Sequence, residues 1–343
     1  MYASLVLPPA GCSGYSSSSN TPMSKGIETL IIVTTNKGQS YARQIGARAS
    51  GLREDLELVL LKCDDLHRFA LAEDVADPSS TLVHARCASP TAGWMASLRR
   101  FQGLGYRVIN TPQTLALTSD KPRCAELMCE SGLPHPASIT IDTRNSRDDI
   151  LGRIGEFMRT HGSLVVKPRV SVAQGAHVRR FSGPGARRLD EVVSVVLEQP
   201  TRYVCVQEYV EYRAIYRVIV IGGKALPYSW LDRPTSDSWK VSVCLNPDMT
   251  FVPRIDGELA GVAVAAQRVV GGEINFIDVF ETRAGWVISE INTACNLELH
   301  QRLARRGGAR SWDIARLIAE HLCAAFDARE AGSAITARTD IRA

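Results

Sequence analysis

Short apolar runs of strand length alternate along this chain with segments whose apolar residues return every three or four positions, as on one face of a helix. Leu30-Ile31-Ile32-Val33 opens the alternation, Thr34-Thr35-Asn36-Lys37-Gly38 follows as a loop, and helical spacing covers 41–49. Strand signals over 56–61, 81–85 and 107–110, with a helix over 94–101, predict a mostly parallel α/β unit. The Gly38 loop suits a phosphate, but a single glycine before a helix is also ordinary loop chemistry.

The pattern changes near Thr111-Pro112. A helix over 123–130 is closed by Gly132, Leu133-Pro134-His135-Pro136 leads to a strand over 137–141, and a helix over 148–160 precedes Ser163-Leu164-Val165-Val166-Lys167-Pro168. Lys167 ends a buried-looking strand, so a ligand anion or a carboxylate is expected beside it. Further strands are predicted over 178–181, 203–206, 215–221, 225–230 and 239–244, and helices over 189–197, 259–270, 297–304 and 312–325.

Composition narrows the class. The chain has 343 residues, 45% hydrophobic and 22% charged, as expected for two or three globular lobes. A formal charge of +4 gives no case for nucleic acid, and no segment approaches the roughly 18 apolar residues of a membrane span. Nine cysteines without Cys-x-x-Cys spacing read as reduced thiols, which points to a cytoplasmic setting. The first 26 residues, rich in serine, read as a disordered tail rather than a signal peptide, with Met23 as an alternative start.

The candidate chemistry gathers on a predicted hairpin over 276–292. Asp278, Glu290 and Asn292 are oxygen donors of the kind Mg²⁺ takes. A three-residue loop, Arg283-Ala284-Gly285, sets Asp278 opposite Glu290, and Asn292 then shares their face. A four-residue loop puts Asp278 opposite Ser289 and splits the group. A solvated hairpin with incidental carboxylates is the plain alternative.

Read in order, Asn110-Thr-Pro, Asp120-Lys121, Gly132-Leu-Pro-His-Pro, Val166-Lys167-Pro168, Gln207-Glu208-Tyr209-Val210, Tyr216-Arg217-Val218 with Gly222-Gly223-Lys224, and Asp278 with Glu290-Ile291-Asn292 resemble the ATP-grasp superfamily. The resemblance is to its branch of ribosomal-protein-S6-modification-like carboxylate-amine ligases, and it covers roughly 110–322. It implies an ATP-grasp fold of α+β lobes behind an N-terminal α/β domain. The expected divisions are a tail over 1–26, that domain over 27–111, a central lobe over 112–206, a C-terminal lobe over 207–328 and a flexible tail over 329–343.

The resemblance also implies roles. Lys121 and Lys167 would reach the phosphates of ATP. Gln207, Glu208, Tyr209 and Val210 would form the hinge at the adenine, and Glu211 would approach the ribose. Arg217 would meet the transferred phosphoryl group, while Asp278, Glu290 and Asn292 would hold Mg²⁺, with Mn²⁺ as a substitute. The implied reaction joins a carboxylate to an amine through an acyl phosphate, releasing ADP and phosphate. Small-molecule or peptide substrates and a homo-oligomer are compatible with it. A carboxylate-thiol ligase, a phosphotransferase and a non-catalytic nucleotide-binding protein are the alternatives.

Departures from the family pattern stand beside these roles. The segment after Lys167 has one glycine, Gly175, so Ser171 and Gln174 are candidates for phosphate contacts, as are Lys240 and Asn246. Ile215 stands where relatives often carry Asp. Cys295 follows the metal set and reads as a packed thiol, and Arg302, Arg305, Arg306 and Arg310 read as a solvated helix face.

Overall fold

The computed structural model describes residues 27–35, 38–63, 65–66, 77–86, 91–170, 177–183, 185–235, 238–239, 249–308 and 312–339. The expectations for 1–26, Ser171, Gln174, Gly175, Lys240, Asn246 and Arg310 therefore lie outside the described residues, as does the strand expected over 239–244 apart from Trp239.

The N-terminal sheet contains β1 (Glu28–Thr34), β2 (Leu56–Lys62), β3 (Thr81–Arg86) and β4 (Arg107–Ile109), parallel and ordered β2-β1-β3-β4. Alternate residues of β1 bury on opposite faces. Leu30 and Ile32 pack with Tyr41, Ala42 and Ile45 of α1 (Gln39–Ser50), while Ile31 and Val33 pack with Trp94, Leu98 and Phe101 of α2 (Ala92–Gly103). Burial on both faces explains why β1 reads as a continuous apolar run from Leu30 to Val33.

Two short helices lead away from this sheet. α3 (Pro112–Ser119) is absent from the sequence expectation, and the reason lies in its buried positions. Two of them are Thr114 and Thr118, whose hydroxyls donate to the carbonyls of Gly271 at 2.8 Å and Thr114 at 2.9 Å, so no apolar stripe marks the helix. α4 (Lys121–Glu130) starts at Asp120, whose side chain accepts the Arg123 N–H.

The central sheet is antiparallel, with β5 (Ser138–Asp142), β6 (Leu164–Pro168), β7 (Arg179–Phe181) and β8 (Tyr203–Glu208) in the order β5-β8-β6-β7. Leu164, Val166, Val204 and Val206 face α5 (Arg147–His161) and α6 (Ala186–Leu197) and form one core. The alternate residues, Lys167 and Gln207 among them, emerge on the opposite face.

β9 (Ala214–Ile221), β10 (Lys224–Asp232), β11 (Thr250–Val252), β12 (Ile274–Thr282) and β13 (Gly285–Asn292) form the third sheet, ordered β11-β10-β9-β12-β13. Gly222 and Gly223 join β9 to β10 with φ of 57° and 78°, the two left-handed residues that such a tight turn requires. α7 (Gly257–Val270) and the inner side of α4 cover one face. α8 (Leu297–Arg306) and α9 (Ile314–Thr339) cover the other, where their core merges with that of α1. The backbone of α9 stays helical through Thr339, past the position 329 at which a tail is expected. Asn110 clips the parallel sheet to β12: its Oδ1 accepts from the Glu273 and Ile274 N–H groups at 2.8 and 3.0 Å, and its Nδ2 donates to the Ile274 carbonyl at 2.7 Å.

Candidate active site

The hairpin reaches the expected register by a different route. Thr282 pairs with Gly285, so the loop is the two residues Arg283-Ala284 rather than three, and uninterrupted pairing from it would put Asp278 opposite Ser289. A β-bulge corrects this. Val279 pairs with Ile288 and Asp278 with Glu290, leaving Ser289 as the extra residue. Ile288 and Ile291 both bury on the α7 side, which leaves Glu290 and Asn292 on the side of Asp278. The loop itself is held by Thr282, whose hydroxyl donates to the Gly285 carbonyl at 2.7 Å and accepts the Ala284 N–H at 3.1 Å.

Lys121, Lys167, Gln207 and Glu290 line one narrow cavity with Thr118, Cys124, His135, Ser289 and Ile291. It is formed where α3 and α4, the open face of the central sheet and the edge strand β13 converge. Lys121 Nζ lies 3.2 Å from Glu290 Oε1. Lys167 Nζ donates to Gln207 Oε1 at 2.7 Å, and Gln207 Nε2 donates to Ser138 Oγ at 2.8 Å. The partner expected for Lys167 is thus a neutral amide in direct contact, with the Glu290 carboxylate as the nearby charge. Arg169 grips Asp120 through two hydrogen bonds, and the Lys121 N–H donates to the Arg169 carbonyl at 3.2 Å, which fixes the start of α4 to the strand carrying Lys167.

Burial shapes the charges of this cavity. It lowers the Lys167 pKa from the usual lysine range, with the Lys121 ammonium adding to that effect. For Glu290 burial works the other way, but the Lys121 and Lys167 ammoniums outweigh it and bring the carboxyl down to about 2. Glu290 is therefore ionised at neutral pH beside two lysines, a set of three side chains whose formal charge is one positive in excess. Such a cluster suits a polyanion.

Arg217 and Asp278 stand apart from the cavity. They pair directly across β9 and β12 and share two hydrogen bonds, Nε to Oδ1 at 2.7 Å and Nη2 to Oδ2 at 2.6 Å. Arg217 is 2% exposed and Asp278 4%. The metal set is therefore not preassembled, and among the described residues no cluster of three His, Cys, Asp or Glu side chains is poised to hold a metal. The donors do match a hard cation in kind: an ionised Glu290, the Asn292 amide on its face and the Asp278 carboxylate opposite.

At the hinge, the Tyr209 N–H already donates to the Ser163 carbonyl at 2.8 Å, so that amide is committed within the sheet. The Glu208 side chain turns toward α5, where Oε2 accepts the Ala137 N–H at 3.3 Å and lies 3.6 Å from His161 Nδ1. It thus projects away from the face that carries Gln207. Val210 is half-buried and Glu211 exposed. Arg180 lies over the Tyr209 ring, 3.6 Å from its centroid, and Trp239 meets its edge. Sequence reasoning singled out neither Arg180 nor Trp239, since aromatic and cationic residues far apart in sequence give no local signal.

His135 was also passed over, for want of any visible neighbour. Burial lowers its pKa to about 4, so the ring is neutral at neutral pH. Its Nδ1 lies 3.0 Å from the Pro136 carbonyl, which only accepts, so Nδ1 carries the proton.

No protein-family model matches the chain. It is 27% identical over 213 residues to a probable alpha-L-glutamate ligase of Halorhodospira halophila, covering 62% of this chain and 67% of that protein. Over 208 residues it is 26% identical to the alpha-aminoadipate–LysW ligase LysX of Sulfurisphaera tokodaii, covering 56% and 65%. Among solved structures it resembles the ATP-grasp ligase PsnB in complex with precursor peptide PsnA2 and AMPPNP, with TM-score 0.59, 16% identity and coverage of 90% and 99%. A RimK-domain ATP-grasp protein of Sphaerobacter thermophilus gives TM-score 0.56 at 18% identity, covering 85% and 99%.

The chain has the fold of the ATP-grasp ligases and resembles carboxylate-amine ligases in sequence. Its three sheets are the layers of that fold, and those ligases are of the kind that forms carbon–nitrogen bonds with ATP. Among the described residues of the chain, no helix is long and apolar enough to cross a membrane.

Proposed function

We infer that this ligase activates a carboxylate as its acyl phosphate and passes the acyl group to an amine, releasing ADP and phosphate. The observation that carries the reading is the cavity lined by Lys121, Lys167 and an ionised Glu290, whose formal charge together is one positive in excess. Two ammonium groups there offset the repulsion between an attacking carboxylate and a triphosphate. At an effective dielectric near 20, one unit pair at 4 Å is worth about 4 kcal/mol.

In this reading Lys167, oriented by Gln207 and Ser138, and Lys121, at the first turn of α4, bind phosphate oxygens. Lys121 exchanges Glu290 for phosphate as the nucleotide enters. Glu290 and Asn292, with Asp278 opposite, would hold Mg²⁺ (or Mn²⁺). That ion, when bound, screens the phosphate charge and orients it for in-line transfer. Arg217 acts through Asp278, fixing its carboxylate, rather than on the phosphoryl group. Gln207 and the Tyr209–Val210 backbone border the base, while the Glu211 side chain lies on the solvent side, toward the ribose. Relatives that act on LysW or on a precursor peptide support an amine or carboxylate borne by an amino acid or a peptide, and a cytoplasmic enzyme fits the reduced thiols.

The test is a screen of amino acids and short peptides for ADP release, with product mass determined. Amide formation, and hydroxamate when hydroxylamine replaces the amine, is the expected result. A phosphorylated product without amide would establish a phosphotransferase instead.

A further inference from the structure

A second polar site lies in the N-terminal sheet, outside the nucleotide cavity. Because β1 sits between β2 and β3, the chain leaves β1 toward one side for β2 and returns on the other as β3, which makes the carboxyl ends of β1 and β3 the switch point of the sheet. Ligands of open α/β sheets bind in the crevice at such a point. Thr34 and Arg86 end these two strands, paired in register, and α1 begins beside them at Gly38. Among the described residues, no side chain caps the amino end of α1 and its first turn holds no acidic residue to offset the partial positive charge there.

Among the described residues, two buried hydroxyls at this point have no hydrogen-bond partner: Thr34 Oγ1, on a residue 2% exposed, and Tyr41 OH, on one 3% exposed. A buried hydroxyl left this way costs on the order of 1–3 kcal/mol, which a ligand that satisfies it would recover. The Thr34 hydroxyl is aimed at the start of α1, since a Cβ on Gly38 would come within 2.3 Å of it and 2.6 Å of Arg86 Nη1. Arg86 lies over the Tyr41 ring and donates to the Gly38 carbonyl at 3.4 Å and the Cys295 carbonyl at 2.6 Å. Cys295 belongs to the turn after Asn292, so these groups adjoin the end of the candidate metal-binding strand.

We propose that Arg86, the Thr34 and Tyr41 hydroxyls and the amino end of α1 bind the spectator carboxylate of an amino-acid substrate, the one that the ligation leaves untouched. The proposal rests on the ligase reading for the word substrate. Its chemistry is a charge-assisted exchange, in which an anionic carboxylate replaces neutral carbonyl partners of Arg86 and satisfies the two hydroxyls.

The experiment measures thermal shifts of the full chain with a panel of free amino acids and their carboxamides, with and without a non-hydrolysable ATP analogue. The wild type shifts with at least one amino acid and not with its carboxamide. Arg86→Met weakens that binding about 10- to 100-fold, and Thr34→Val and Tyr41→Phe weaken it roughly two- to tenfold. Thr34→Val and Tyr41→Phe also raise the melting temperature of the ligand-free protein, because each removes an unsatisfied buried hydroxyl, an effect that a merely structural role reverses. If Arg86→Met does not fold, the two hydroxyl variants decide. No shift in the wild type, equal shifts with carboxamides, or shifts unaffected by these substitutions overturns the site. Amide formation that persists in such a case leaves the ligase reading standing, and Arg86-dependent binding without ADP release overturns only the ligase reading.

Discussion

Two ion pairs involve carboxylates of the same hairpin and do opposite things. Arg217 and Asp278 face each other across neighbouring strands, with side chains 2% and 6% exposed and both carboxylate oxygens engaged. Lys121 and Glu290 meet at the cavity wall, with Nζ 3.2 Å from Oε1 and side chains 14% and 33% exposed. A buried bidentate pair has nowhere to go, because parting it leaves a charge without water or partner. A pair that lines a cavity can be exchanged for a ligand. The first pair is thus suited to fixing geometry and the second to yielding its place to nucleotide and metal.

The comparison breaks most easily at the buried pair. Arg217→Met should destabilise the protein by about 3–5 kcal/mol in urea unfolding, because Asp278 is left buried and alone. Recovery of that loss in the double variant Arg217→Met with Asp278→Leu would show that the cost is the orphaned charge; no recovery would assign Arg217 a further contact.

Glu290→Ala tests the exposed pair. ADP release should fall by about a thousandfold while the unfolding midpoint changes little. A large loss of stability would place Glu290 with the buried pair. His84 offers a third solution to burial, which is neutrality. Its Nδ1 lies 3.0 Å from the Ile109 carbonyl, and burial lowers its pKa to about 4. The unfolded chain, with an ordinary histidine, binds the proton more readily between about 6.5 and 4, so this contribution is complete above pH 6.5 and is lost as pH falls through that window. Urea unfolding at several pH values should show about 3 kcal/mol of acid-dependent loss that His84→Gln lacks. Lys167→Met should weaken ATP binding about 10- to 50-fold by calorimetry, with unfolding unchanged or slightly more resistant. Unaltered affinity would remove Lys167 from the phosphate site.

Much of the fold could be read from particular runs. β1 is buried on both faces and carries the unbroken apolar run Leu30 to Val33, and the helices α5 and α7 were expected close to where they lie. α3 stayed hidden because two of its buried residues are threonines. The pairing of Asp278 with Glu290 was anticipated, but through a loop of the wrong length, since a bulge such as the one at Ser289 leaves no mark in composition. His135, Arg180 and Trp239 were not legible at all. Each gains meaning only from neighbours supplied by other segments of the chain.

By itself, then, the sequence determined most of the order of strands and helices, the residue types able to meet phosphate and metal, and the resemblance to ATP-grasp ligases. These follow from local periodicity and from chemistry carried by single side chains. Tertiary structure alone decided which charges pair, that Tyr209 gives its amide to Ser163, that Glu208 turns toward α5, and that Thr34, Tyr41 and Arg86 meet at a sheet crossover. Those outcomes depend on desolvation and on distances between segments remote in sequence, and neither quantity exists until the chain is folded.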